Sequence, residues 1–417
     1  MHERYDAIVV GGGPSGATAA ALLARAGWRI GVVEKALFPR RKVCGEFISA
    51  TTWPLLGELG VSGQLLKIAG PPVRRVGVYA GSVMVTAKLA STVGFARSGE
   101  GRAVGREHLD TLLLQRAAIA GATIWQPWLL EQFVAHDGGY DCTIVNKATR
   151  ESRVLQSRLI IAAHGSWESG PLPTQDFRRP SSPADLFGFK AHFTGSTLPQ
   201  DLMPLLAFPG GYGGMVHTDA GRISLSCCVR RDQLERCRRR APDVRAGEAV
   251  LSHIASSCKA VSLALIGTRS DGVWLSAGPL RTGIRTFGRD GIFAVGNAAA
   301  ETHPIVAEGI SIAIQSAALL CEQLIARPEL MRDGAGTVAA FEAARADYAA
   351  AWRANFSPRL FVAAVFASVF TRPIATRIAT TLLERFPQLL AEGARWSGKV
   401  QPLRSMSTSH GCHRNQH

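Results

Sequence analysis

Three glycines spaced as Gly11-x-Gly13-x-x-Gly16 stand between the apolar run Tyr5–Val10 and an alanine-rich stretch, and an acid, Glu34, closes the next apolar run. That pattern suits one task, holding the pyrophosphate of a dinucleotide. Gly11 permits a tight turn, Gly13 lets the backbone approach the phosphates, and Gly16 lets the helix pack closely on the strand. The first N–H groups of that helix carry the partial positive charge an anionic ligand needs. Glu34 suits a ribose diol, and Ser15 and Lys35 flank these two points as further contacts. Two other residues could act in a reaction. Cys44 follows Arg40, Arg41 and Lys42, cations that favour a thiolate; the alternative is a small apolar filler. His303, just before Pro304, could move a proton; the alternative is a loop histidine whose hydrogen bonds are already satisfied.

A βαβ unit must position the first group. Tyr5–Val10 reads as a buried strand, Ala17–Ala26 as a small-residue helix stopped by Gly27, and Arg29–Glu34 as the second strand. Glu107–Ala120 reads as a helix and Ser157–Ala163 as another buried strand. Residues 171–275 are richer in Pro and Gly, with strand-like runs at Gly188–Phe193, Gly213–Val216 and Ile223–Val229. The expected architecture is α/β. A Rossmann-type dinucleotide-binding part (1–170 and 276–330) is interrupted by a β-rich substrate part (171–275), to which the strands at 73–98 also belong. A helical region (331–404) and a loose polar tail (405–417) complete the chain.

With 417 residues, 47% of them hydrophobic and 19% charged, the chain can bury a large core and is neither a disordered segment nor a coiled coil. The net charge of +15 favours anionic partners such as a phosphorylated cofactor or an acidic membrane face. The densest basic run, Arg230 to Arg245, has no interleaved aromatics and reads as a solvated face, so no nucleic-acid partner is expected. The eight cysteines form no CxxC pair or zinc-ligand spacing, so no metal site is expected. Ala7–Val10 is too short for a secretory h-region, which makes a reducing cytoplasm the expected compartment. Leu360–Phe370 is about half a membrane span. With Arg372, Arg377 and Arg385 nearby, it could lie on the inner membrane face, cap a substrate tunnel or pack on the core.

Further on, Gly291–Ala299 leads into Pro304, Glu308, Gly309 and Ile310 and then an apolar helix. This resembles the second flavin motif of the para-hydroxybenzoate hydroxylase fold. The resemblance implies FAD as cofactor, with Gly296, Asn297, Pro304, Gly309 and Ile310 at the flavin; Asn297 stands where that family usually has Asp. In Ile160–Ser166, His164 stands in for the acid of the family's Asp-Gly motif, which serves the pyrophosphate and nicotinamide. NADPH or NADH is therefore a candidate external electron donor only. Phe38–Glu46 is similar to the Pro-Arg-x-Lys-x-Cys-Gly segment of geranylgeranyl reductases and flavin-dependent halogenases, which implies Arg41, Cys44 and Gly45 as flavin neighbours. Arg106 matches the arginine before the family's Asp-x-x-Leu helix, a cofactor contact.

Halogenases and geranylgeranyl reductases of this fold carry Trp-x-Trp-x-Ile-Pro and Tyr-x-Trp-x-Phe-Pro segments in the substrate part. Here the place reads Gly211–His217, with glycine for the tryptophan. An aromatic wall is lost and space is expected in its place. The resulting expectation is an FAD-dependent monooxygenase acting on a hydrophobic aromatic, polyketide or isoprenoid compound. A geranylgeranyl-reductase-like saturation of double bonds is the alternative, resting on Cys44. A prenyl-binding protein without flavin chemistry is a third.

Overall fold

The structure is a computed structural model that describes residues 3–89, 100–166, 169–175, 180–331 and 337–396. The sequence-predicted tail 405–417 and the end of the 73–98 segment lie outside the described residues.

The chain opens with β1 (Glu3–Val10), α1 (Pro14–Arg25) and β2 (Ile30–Val33). β1 lies between β2 and Ser152–Ala162, all parallel; Thr123–Trp125 joins beyond β2, and Ile292–Ala294 joins beyond Ser152–Ala162. Both faces of these strands are covered, which is why they read as continuous apolar runs. α1 packs against the helices Arg106–Ile119 and Gly309–Ile325. The strand Ser152–Ala162 is longer than the sequence reading gave it. Its first half pairs antiparallel with Gly139–Asn146, which pairs with Trp128–His136.

A second sheet runs Arg269–Ser270, Leu186–Thr194, Ile223–Arg230, Gly211–His217, Leu202–Phe208, Arg75–Ala80, Val83–Lys88. The early strand Arg75–Ala80 enters it by parallel pairing with Leu202–Phe208. The boundary expected at residue 276 moves: Leu275–Leu280 pairs with Leu186–Thr194 and so belongs to this sheet. Sequence texture could not show this, because the return to the first sheet begins only at the short strands 288–294.

Residues alternate between the two faces of the second sheet, as strand geometry requires. One face, with Leu206, Met215, Leu225 and Val229, packs on helices Ala246–Ser257 and Lys259–Ala264. The other face, with Val78, Tyr212 and Cys228, meets Ala363, Ala367 and Phe370 of a 34-residue helix, Thr337–Phe370. That helix bridges the two parts. Its first twenty residues bury Tyr348, Trp352 and Phe356 in the core around the first sheet, where the Tyr348 hydroxyl donates to the Ala294 carbonyl at 2.9 Å. Truncating such aromatics costs about 3–5 kcal/mol each. The chain then bends by 108° into Pro373–Arg385, followed by Gln388–Ala394. Among the described residues no single helix is long and apolar enough to cross a membrane. The basic run forms the helix Arg231–Arg240, which buries Gln233 and Cys237 and leaves Arg236, Arg238, Arg239 and Arg240 in solvent.

Candidate active site

One continuous cavity of about 520 Å³ runs from the glycine turn, between the two sheets, to the C-terminal helices. Its first end is built by backbone economy. Gly11 has φ +110°, and a Cβ there would stand 2.5 Å from the Ala163 carbonyl oxygen; a Cβ on Gly16 would stand 1.8 Å from the Gly11 carbonyl oxygen. Only glycine allows α1 to start this close to the sheet. Gly16 therefore acts from behind and does not line the cavity, whereas Gly11, Gly13, Ser15, Glu34 and Lys35 do.

Two guanidinium groups converge on this turn. A Cβ on Gly13 would lie 3.8 Å from Arg106 Nη2 and 4.0 Å from Arg40 Nη2. Arg106 is fixed by two hydrogen bonds to the fully buried Asp110, at 2.7 and 2.8 Å. Burial opposes its charge, but Asp110 outweighs that and leaves its pKa raised. Arg40 lies 3.6 Å from Glu34 and 3.7 Å from Asp110, yet its buried Nε and Nη1 have no hydrogen-bond partner. Buried donors without partners carry a large desolvation cost, which an anionic pyrophosphate would relieve. Glu34 accepts from the Gly12 and Ala36 N–H groups at 2.7 and 2.8 Å, an arrangement that aims its carboxylate at the turn.

Arg41, expected at the flavin from the motif, is not in the cavity. Its side chain turns away to Asp271 at 2.6 Å and Glu107 at 3.3 Å, and the neighbouring Arg40 points inward instead. Adjacent residues of an extended segment face opposite ways, and the sequence motif alone did not say which of the two faced the ligand. Lys42, Cys44, Gly45 and Glu46 do line the cavity. Cys44 sits within hydrogen-bonding reach of Arg106 and accepts from the Glu46 N–H at 3.4 Å.

Beneath this segment lies a buried charged group that sequence reading missed. Glu46 is fully buried, pairs with the buried Lys190, and contacts His192 Nε2 at 2.9 Å. Burial raises its pKa, but these two partners overcome that and hold it down at about 2. Lys190 and His192 sit two residues apart in the strand Leu186–Thr194, a spacing that puts both on one face. That spacing was the signal available.

At the far strand of the first sheet, Gly296 is also a packing residue: a Cβ there would meet Ser15 Oγ at 2.7 Å. Asn297 lines the cavity, and its Nδ2 donates to Ser166 Oγ at 2.7 Å, which leaves Oδ1 to accept from a ligand hydroxyl. Pro304, Gly309 and Ile310 line the cavity at the start of the helix Gly309–Ile325. His164 lines it as well; Nε2 meets Thr174 Oγ1 at 2.6 Å, and the buried Nδ1 has no partner. Burial, followed by the Arg285 charge, pushes its pKa down to about 4, so a neutral imidazole stands where relatives of the motif carry an acid.

His303 is not at the cavity wall. Its Nδ1 lies 3.3 Å from the Tyr212 hydroxyl and its Nε2 3.1 Å from Thr282 Oγ1, and burial lowers its pKa. The fully buried Tyr212 is the lining residue. Along its strand Tyr212, Gly213, Gly214 and Val216 line the cavity. The space expected from the glycines is present only at Gly214, where the nearest atom to an added Cβ is the Pro204 carbonyl oxygen at 3.5 Å. At Gly213 a Cβ would meet the Ser226 carbonyl oxygen at 2.7 Å, so that glycine serves strand packing. Among the described residues, Glu107, His108 and Asp219 have the spacing of a metal site, but Arg222 already pairs with both carboxylates.

A dinucleotide cradle, two inward arginines and a second turn across the sheet together define a flavoprotein of the oxidoreductase type, with FAD as its cofactor. The orphaned nitrogens of Arg40 and the free acceptor of Asn297 fit that group. The chain belongs to the FAD binding domain family, whose pattern matches residues 4–351. Over 165 residues it is 30% identical to the geranylgeranyl diphosphate reductase of Rhodobacter capsulatus, covering 39% of this chain and 38% of that one. A shorter stretch of 67 residues is 45% identical to the 1H-pyrrole-2-carbonyl-[peptidyl-carrier protein] chlorinase of Pseudomonas fluorescens, covering 16% of this chain and 15% of that one. The first curated relatives are thus matched over less than two thirds of their length, from 15% to 63%. Among solved structures, the myxobacterial chondrochloren halogenase superposes with a TM-score of 0.75 at 20% identity, covering 94% of this chain and 91% of that one. Pseudomonas aeruginosa PqsL, in complex with 2-aminobenzoylacetate, gives 0.68 at 17%, covering 89% and 98%. These likenesses establish the fold.

Proposed function

We propose that the protein is an FAD-dependent monooxygenase acting on a hydrophobic aromatic, polyketide or isoprenoid compound. The observation that carries this is the continuity of the cavity. It passes from the cofactor cradle past Gly214 into a chamber walled by Phe366, Val369, Leu383 and Leu390, among other apolar side chains. When bound, FAD supplies the activation of dioxygen. The chain's own residues hold the cofactor through Arg40, Arg106 and Glu34, exclude water with the apolar wall, and place substrate against the face that Gly214 leaves open. Tyr212, whose hydroxyl is held by His303, walls the chamber beside it.

The holoenzyme, supplied with NADPH or NADH, labelled dioxygen and hydrophobic phenols, polyketides or isoprenoids, is expected to give a product carrying one labelled oxygen by mass spectrometry. A product heavier by two hydrogens and without label would overturn this reading. It would favour the alternative, a geranylgeranyl-reductase-like saturation, which the cavity-lining position of Cys44 beside Arg106 supports. Cys44→Ala separates the two, since saturation should suffer strongly and hydroxylation much less. The flavin-free prenyl-binding reading is not carried forward for a member of the FAD binding domain family.

A further inference from the structure

The three C-terminal helices each give the cavity one residue that is also open to solvent: Val365 at 42% exposure, Leu382 at 49% and Leu389 at 43%. These are points where the apolar chamber meets the surface. The surface around this mouth is itself apolar. Phe361 is 70% exposed, Ile374 78% and Ile378 67%, with Phe386 and Trp396 also exposed. Ile374, Ile378 and Leu382 recur every fourth residue along the helix Pro373–Arg385 and so form one stripe. Arg377 and Arg385 form the stripe next to it, and both are exposed. Residues 371–396 hold four arginines, Arg372, Arg377, Arg385 and Arg395, against two acids, Glu384 and Glu392.

We infer that this mouth docks on an anionic lipid bilayer, with the apolar stripe in the acyl boundary and the arginines at the headgroups, so that substrate enters the chamber directly from the membrane. An exposed apolar stripe flanked by cations matches the physics of an interfacial helix. A second copy or a protein partner would cover the apolar stripe equally well, but neither accounts for a substrate tunnel opening in the middle of it. The route for substrate rests on the hydrophobic-substrate reading above; the docking itself does not, because it requires no turnover.

The test is co-sedimentation of the FAD-loaded protein with phosphatidylcholine vesicles, with and without phosphatidylglycerol. Binding is expected to the anionic vesicles and to weaken as salt is raised. Ile374→Asp/Ile378→Asp should abolish it, and Arg377→Gln/Arg385→Gln should lower it roughly 30-fold. None of these four residues lines the cavity, so flavin content and melting temperature should stay unchanged, which confirms that the variants fold. Three outcomes would overturn the inference: no binding to either vesicle, binding indifferent to both double variants, or a stable dimer in solution that Ile374→Asp/Ile378→Asp dissociates. Hydroxylation of a soluble substrate with no vesicle binding would sink the docking and leave the proposed function standing.

Discussion

The two ends of the cavity are made by opposite means. At the cofactor end, Arg40, Arg106 and Glu34 are held in directed contacts, and the close backbone approach at Gly11 and Gly16 leaves no room for a methyl group. At the far end, Phe366, Leu383 and Leu390 come from three helices and offer only apolar surface. A charged ligand needs donors at fixed distances and angles, whereas hydrophobic contact has no direction and tolerates exchange at constant volume. One end should therefore be intolerant of small changes and the other permissive.

The sharpest test of that contrast is a pair of variants. Gly16→Val drives side-chain atoms into the Gly11 carbonyl and is expected to abolish FAD uptake, because a backbone clash exceeds the usual ~3 kcal/mol upper range of overpacking. Leu383→Met at the far end should cost less than ~1.5 kcal/mol and leave flavin fluorescence titrations unchanged. Equal behaviour of the two would break the comparison.

Between the ends, Lys190→Met strips the buried Glu46 of a partner and should cost about 3–5 kcal/mol in urea unfolding. Because Glu46 is held at about 2 against an ordinary 4.5, its contribution is complete above pH 4.5 and is lost as pH falls through 2. Glu46→Gln should flatten that acid limb. His164 behaves oppositely in chemistry but alike in sign. Its pKa is pushed from 6.5 to about 4, so the folded protein takes up its proton later than the unfolded chain. Stability is complete above pH 6.5 and falls by about 3 kcal/mol toward pH 4. His164→Asn should remove that slope in melting curves of the holoprotein. The smallest effect is expected outside the cavity, where Arg236→Ser, Arg238→Ser and Arg240→Ser should each stay within about 0.5 kcal/mol.

The same contrast explains what could be read before the fold was known. The glycine turn and Glu34 are legible from their own spacing, because a rigid ligand fixes the distance between them, whereas Arg106 and Asn297 are legible only through the resemblance to a known flavin fold. The resemblance implies Arg41 at the flavin, but a motif does not say which way an extended residue points; the ion pair of Arg41 with Asp271, some 230 positions away, turns it outward. His303 is expected to move a proton, but its imidazole is taken up by Tyr212 and Thr282 and lies off the cavity wall. The Glu46–Lys190–His192 group showed in the sequence only as the two-residue spacing of Lys190 and His192, and the far chamber only as the apolar run Leu360–Phe370. Their members are brought together only by strand pairing and by the bend after Phe370.

The cofactor sheet has a consequence for synthesis. Its strand Ile292–Ala294, which joins beyond Ser152–Ala162, and the helix beginning at Gly309 are made nearly 300 residues after the strand Glu3–Val10. At about 5–20 residues per second, the ribosome needs some 15–60 s to deliver them. Throughout that interval the nascent chain carries the glycine turn without the opposite wall that closes on the flavin. FAD capture therefore waits until both segments have been made. Cellular flavin supply then acts on chains extended beyond Gly309, and a ribosome that stalls before it leaves a product that no amount of cofactor can rescue.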